Sequence, residues 1–501
     1  MSVNTGDTIG RSASSVRWLI LATVMVGTFL GRLDQTIVNM ALPKIINDFN
    51  ISVSSAGWIA TAYILANAVF VPIWGKLGDT IGRKKVYLFG FSLFIVGSVL
   101  AGLAWNLPSM IVFRVIQAIA GSADYPTAMA ILAVTFTVER ERAQALGIWS
   151  ASFAVAAVFG PLIGGPLIDN FGWRSVFLIN LPVGIVGALM AWHFIHESVS
   201  ERKAQSFDWW GAIMLGVAIS AVVLVLDKGL DWGWLSGRSL MAYITAIGSS
   251  GVFLYIEKTQ SDPIIDLKFF KVPVFVNALL NNFLVFMGMM GSVFLIPVFS
   301  QIFLGYNATE SGYLFIPMAG ALMLAAPLGG SLTGKVQPRF VIMASTIVAS
   351  LGLYGLSYID AHSGPWDIMG PLAIMAFGLG FGMAQRTNII AAIVPPSEIG
   401  VASSILALVR NIAGAFGISL FASILKNATE NHVLDLARFS KLNVSSPEVY
   451  TQFVSLIMLK AQIDAYASNF VIAAGVLACG AGLAWWIKVP TLSKDVHVIV
   501  E

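Results

Sequence analysis

A chain of 501 residues with 57% hydrophobic and only 11% charged residues carries too little charge to cover a water-soluble fold, since an average soluble domain has about 25%. Its net charge of +3 comes from basic residues sorted among short connections, not pooled in a patch, which argues against nucleic acid as a partner. The single cysteine, Cys479, excludes an internal disulfide and speaks against a cysteine-based metal site.

A polar tail, 1–16, precedes an apolar segment at 17–41 that is longer than a signal-peptide core and lacks a small-residue cleavage site, so it reads as a retained first helix. Segments of similar character recur at 54–75, 86–104, 109–135, 144–168, 175–195, 209–227, 238–257, 274–300, 310–332, 339–358, 367–390, 398–425 and 466–487. About 20 apolar residues suffice to cross a hydrocarbon layer of about 30 Å. The expected fold is therefore an all-α integral membrane bundle of about fourteen transmembrane helices. Gly75-Lys76 followed by Arg83 after the second span recurs as Gly334-Lys335 followed by Arg339 after the tenth, which divides the chain into six-helix halves at 17–200 and 261–490. Two additional helices occupy 201–260, and 491–501 forms a second tail. Most of the 29 Lys and Arg fall on the side of the termini, so the positive-inside rule places both termini in the cytoplasm. The segment 427–464 is expected to be the long outer loop. Val433, Leu436, Phe439, Val449, Phe453 and Leu456 give it helical apolar spacing, suited to a helix lying on the membrane, a lid or a partner surface.

The connection between the second and third spans reads Gly75-Lys76-Leu77-Gly78-Asp79-Thr80-Ile81-Gly82-Arg83-Lys84-Lys85, a glycine-built turn with one acid among four bases. It resembles the signature loop of the major facilitator superfamily. Leu33-Asp34-Gln35-Thr36-Ile37-Val38-Asn39 and Phe177-Leu178-Ile179-Asn180-Leu181-Pro182 are similar to the first- and sixth-helix motifs of its fourteen-helix drug:proton antiporters, the EmrB/QacA type, and the resemblance spans essentially the whole chain. Gly75, Asp79, Gly82, Arg83 and Lys84 match the signature loop. Asp79 is expected to face the N-terminal end of a helix in the other half, near Ser397, and so lock one access state. Gly160, Pro161, Gly164 and Gly165 match the antiporter motif, with Ala156 where relatives usually carry glycine. Small residues there permit close helix approach, and proline bends the helix.

Ionisable residues inside spans are expensive and therefore informative. Asp34 lies about 25 Å along an ideal helix from Arg17 and needs a partner or a proton. Arg114, followed by Gln117 in a pattern that resembles the family's Arg-x-x-Gln motif, is its natural partner. Asp124, ten residues further on, departs from the family pattern and is a candidate second proton site or contact for a cationic ligand. Asp34, Arg114 and Asp124 are the candidate proton-coupling residues. Asn39, Gln117, Asp124, Asn277, Asn281, Arg410 and Asn411 are the candidate substrate contacts, asparagines in spans being as often interhelical glue. No phosphate-binding loop of the Gly-x-x-x-x-Gly-Lys-Ser/Thr type occurs, so an ion gradient, not ATP or a cofactor, is expected to drive transport.

The resemblance implies a proton-coupled multidrug efflux antiporter in the bacterial inner membrane. Its expected partners are lipophilic small molecules, protons and lipids, with a periplasmic adaptor and an outer-membrane channel where two membranes exist. Two other readings stay open on the residues: a dedicated exporter or symporter of a metabolite or lipid, and a transport-inactive membrane sensor or scaffold. An enzyme is not expected, because no nucleophile–base or metal-ligand spacing occurs.

Overall fold

The computed structural model describes residues 5–136, 138–198, 208–260, 265, 267–333, 335–393, 399–439 and 447–487. Within them the chain is helical, and no strand occurs. The first half contains α1 (Thr5–Phe49), α2 (Val53–Ile81), α3 (Arg83–Gly102), α4 (Leu107–Gly121), α5 (Asp124–Thr135), α6 (Glu139–Phe171), α7 (Ser175–Leu178) and α8 (Asn180–Phe194). The pair α9 (Trp209–Trp232) and α10 (Gly237–Thr259) follows. The second half contains α11 (Pro273–Ile302), α12 (Ala308–Tyr313), α13 (Ile316–Gly330), α14 (Pro338–Gly355), α15 (Pro365–Ile393), α16 (Ile399–Phe439) and α17 (Pro447–Ala484). These seventeen helices make fourteen spans, because α4–α5, α7–α8 and α12–α13 are each one interrupted span.

Among the described residues, twelve spans are long and apolar enough to cross a membrane. Ser122 and Ala123 interrupt α4–α5, where the Ser122 hydroxyl donates to the Ile119 carbonyl at 2.7 Å. The first turns of α6 carry Glu139, Arg140, Glu141 and Arg142. An even number of spans puts both chain ends on one face, here called the termini face.

Side-chain caps set several helix starts. Asn106 and Ser109 form a capping box on α4, and Asn307 and Glu310 form one on α12. Between α2 and α3 the chain turns at Gly82 with φ +113°, a backbone conformation that favours glycine. The Glu197 carboxylate sits against Gly82 and accepts from the Lys84 and Lys85 amides at 3.0 and 3.2 Å, while Lys84 Nζ donates to the Trp192 carbonyl at 2.6 Å. The signature loop is thereby pinned to the end of α8 in its own half. The Asp79 side chain and Ser397 lie outside the described residues.

The two halves meet on the far face. Ile37, Met40 and Ile45 of α1 share one apolar core with Phe294, Leu295 and Phe299 of α11, and Gln301 Nε2 donates to the Met40 carbonyl at 3.1 Å. Nearby, the Asp169 carboxylate at the end of α6 caps the start of α12, accepting from the Ala308 and Thr309 amides at 3.1 and 2.8 Å and from the Thr309 hydroxyl at 2.6 Å. Glycines make that approach possible. A β-carbon on Gly165 would meet the Thr309 backbone, and one on Gly312 would meet the Pro161 carbonyl. The antiporter motif thus packs α6 against α1 through Gly160 and Gly164 and against α12 through Gly165.

The inserted pair does not separate the halves. Ile219 and Val223 of α9 pack with Leu65 of α2 and Ala415 of α16, while α10 presents Met241, Ile244 and Ile247 outward, each at least 70% exposed, as a lipid-facing surface requires.

The segment expected as an outer loop, 427–464, is largely helical: α16 runs on to Phe439, and α17 begins at Pro447. Tyr466 packs on Phe299 and Phe303 at the far end of α11, so α17 extends well beyond that level, and His432 contacts Ser468 across the pair at 3.2 Å. The apolar spacing there continues two spans instead of marking a separate surface helix.

Candidate functional site

Asp34 is fully buried on α1 at the centre of a polar node built by five helices. Arg114 Nη1 of α4 donates to Asp34 Oδ2 at 2.5 Å, and Gln117 Nε2, one turn further along α4, donates to Oδ1 at 2.9 Å. Three-residue spacing puts both donors on one face of that helix. Asn180 Nδ2, the first residue of α8, also donates to Oδ1 at 2.9 Å and to Ser98 Oγ of α3 at 2.8 Å. Ser98 Oγ in turn donates to the Phe177 carbonyl at 2.8 Å. Tyr63 of α2 closes the node with its ring 4.0 Å from the Arg114 guanidinium carbon. A buried ion pair loses the hydration of both charges, and only good geometry with further hydrogen bonds offsets that. Here the carboxylate has three donors. Asn180 and Ser98 escaped the sequence reading as site residues, although Asn180 belongs to the sixth-helix motif.

Asp124 does not join this node. It opens α5 just past the interruption, where Thr28 Oγ1 of α1 donates to its Oδ2 at 2.7 Å. Trp149 Nε1 of α6 donates to Thr28 Oγ1 at 2.9 Å. The helix break matters, because it ends the regular backbone ladder of α4 and restarts it with an acid in the first turn of α5. The three expected proton-coupling residues thus divide into two sites, Asp34–Arg114 and Asp124.

In the second half the polar residues are differently placed from the expectation. Asn281 of α11 does not stand open to a ligand: its Oδ1 accepts from Arg386 Nε at 3.1 Å, and its Nδ2 donates to the Gly480 carbonyl of α17 at 2.7 Å. Arg386, inside the apolar window 367–390, is 2% exposed. It also donates to Thr346 Oγ1 at 2.6 Å and to Ser345 Oγ at 3.3 Å on α14. Neutral acceptors alone hold this cation among the described residues. Arg410 Nε donates to Asn282 Oδ1 at 3.3 Å, its guanidinium lies over Phe286, and its Nη2 is buried with no acceptor among the described residues. Asn39, Asn277 and Asn411 are half-buried and make no side-chain hydrogen bond to a described residue. No group of three or more His, Cys, Asp or Glu suited to a metal ion occurs among the described residues.

Comparison with known proteins follows the same lines. The family model described as the Major Facilitator Superfamily matches residues 24–418. The chain is 31% identical over 407 residues to the multidrug resistance protein Stp of Mycobacterium tuberculosis, covering 81% of this chain and 75% of that one. It is 29% identical over 473 residues to the multidrug export protein EmrB of Haemophilus influenzae, covering 94% and 92%. Among solved structures, a bacterial homolog of the human lysosomal transporter Spinster, crystallised inward-facing and unoccupied, superposes with a TM-score of 0.68 at 18% identity, covering 95% of this chain and 99% of that one. With two packed halves, a buried charged node and a family match over most of its length, the chain belongs to the major facilitator superfamily and is a membrane transporter, not an enzyme.

Proposed function

We propose that the chain is a proton-coupled multidrug exporter that moves lipophilic small molecules by alternating access, with Asp34 as its coupling acid. The observation that carries the reading is the Asp34 node. A carboxylate buried at 0% exposure accepts from an arginine and two amides, and neutralising it would leave Arg114 an unpaired cation. That charge change reaches four neighbouring helices at once, through Arg114 and Gln117 on α4, Asn180 on α8, Ser98 on α3 and Tyr63 on α2.

Two further features support the direction of transport. The positive-inside distribution makes the termini face cytoplasmic, in the inner membrane of a bacterium, and the closed contacts between halves then lie on the outer side, as in an inward-facing state. Multidrug resistance and export proteins are among the relatives with which the chain aligns over most of its length. Where a second membrane exists, the helical extension of α16 and α17 is the surface on which a periplasmic adaptor leading to an outer-membrane channel would dock.

Reconstitution into proteoliposomes tests the reading. With an imposed pH gradient and a panel of neutral, cationic and anionic lipophilic compounds, at least one compound is expected to move against its gradient as protons move the other way. Substrate movement in the same direction as protons, or transport indifferent to the gradient, overturns it.

A further inference from the structure

Beyond the Asp34 node the first half holds a second set of buried polar atoms without protein partners. Asp124 Oδ2 is satisfied by Thr28, but among the described residues Asp124 Oδ1 is buried with no hydrogen-bond partner, and so is the hydroxyl of Tyr87 on α3. Tyr87 is 2% exposed. Both atoms flank the same point on α1: a β-carbon added to Gly27 would collide with the Tyr87 hydroxyl and lie 3.1 Å from Asp124 Oδ1. Gly27, Gly31, Tyr87, Phe94, Gly121 and Asp124 line a cavity of about 10 Å³ at this point, the space of a single water. Leaving a buried donor or acceptor unsatisfied is costly, and a water between the two oxygens satisfies both.

We propose that Asp124 is a second proton-binding site, in which one water bridges Asp124 Oδ1 and the Tyr87 hydroxyl across Gly27. With Asp124 ionised, Tyr87 donates to the water and the water donates to Oδ1. With Asp124 protonated, Oδ1–H donates to the water and the water donates to the Tyr87 oxygen. Only O–H bonds form and break, and the proton enters and leaves through the water. The charged and titratable groups facing the site are Arg32 on α1, whose charge is felt by Asp124, Tyr87 on α3 and Tyr125 beside it on α5. Thr28 lies six residues before Asp34, about 9 Å nearer the termini face along α1. A proton leaving Asp34 for that face therefore passes the Asp124 site. Its part in coupling rests on Asp34 as the coupling acid, whereas the site itself does not.

Infrared difference spectra of the purified full-length protein, recorded through a pH titration, read the site without any substrate. A protonated-carboxyl band is expected that disappears in Asp124→Asn, persists in Asp34→Asn, and shifts in frequency in Tyr87→Phe and Gly27→Ala. Tyr87→Phe removes one hydroxyl and no charge, so the test survives if Asp124→Asn fails to fold. Loss of no band in Asp124→Asn, or a band unmoved by Tyr87→Phe and Gly27→Ala, overturns the proposal. Failure of the coupling role alone has a different signature: Asp34→Asn then keeps proton-driven transport while the Asp124 band remains.

Discussion

Replacing Asp34 with Asn keeps the shape of the side chain and fixes its charge at zero. The structure sets the consequences. Arg114 loses its only acidic partner among the described residues, and the new amide NH₂ turns a donor toward Arg114, Gln117 or Asn180, all donors in the native node. Breaking one side of a buried pair typically costs about 3–5 kcal/mol, so the first half is expected to unfold at a distinctly lower temperature. Coupling is read separately. One proton exchanged for a neutral substrate across about 100 mV supplies about 2.3 kcal/mol, which sustains a concentration ratio of about 40-fold at 1.4 kcal/mol per tenfold. In proteoliposomes with that potential imposed, Asp34→Asn is expected to let the ratio fall to unity while exchange of labelled for unlabelled substrate continues. Adding Arg114→Gln is expected to recover part of the thermal stability, because no cation is then left unpaired, and none of the accumulation. Accumulation by Asp34→Asn at the wild-type ratio refutes Asp34 as the coupling acid.

Gly164→Leu forces a side chain into Ile37, whose Cγ1 lies 2.6 Å from the position of an added β-carbon. Transport should stop while the protein remains folded in the membrane, as judged by its elution from size exclusion in detergent. Asp169→Ala removes three hydrogen bonds that close the far face. Spin labels on the far ends of α6 and α12 should report a shift toward longer distances. Arg386→Met leaves Asn281 Oδ1 and Thr346 Oγ1 without their donor, so a melting temperature lowered by a loss of about 1–3 kcal/mol per orphaned group is expected, with an unchanged pH profile of transport. On the far face, the His362 amide beside Asp360 holds that carboxyl below its ordinary range. The turn it stabilises is therefore intact above the usual carboxylate range and loosens only as pH falls through the lowered value, which hydrogen exchange at His362 and Ser363 measures.

The spans and the halves were legible because about 20 apolar residues in a row admit few structures in lipid. The Asp34–Arg114 pair was legible for a related reason: charges at that depth need partners, and few are available. Asn180 was harder to see, since an asparagine at a helix start is ordinary, and only the fold carries it from α8 to Asp34. Arg386 was not singled out because it lies near the end of an apolar window, where sequence does not distinguish a residue reaching toward water from one turned into the bundle. The same limit hid the continuation of α16 and α17, since charged residues such as Lys426, Glu430 and Asp435 end an apolar run without ending a helix. Asp124 was singled out as unusual, but the break at Ser122–Ala123 and the link to Thr28 depend on packing that has no local signature.

The extension of α16 has a mechanical meaning. From Leu425, near the level where Tyr466 meets α11, to Phe439 the helix rises about 21 Å, and α17 runs beside it from Pro447. Both helices continue unbroken into the second half, so they form a stiff lever rooted in the moving bundle. A rotation of about 10° about its base sweeps the tip through about 4 Å. Each change of access is thereby broadcast beyond the bilayer as a displacement large enough for anything gripping the tip to feel, with no signal passing through the transport pathway itself.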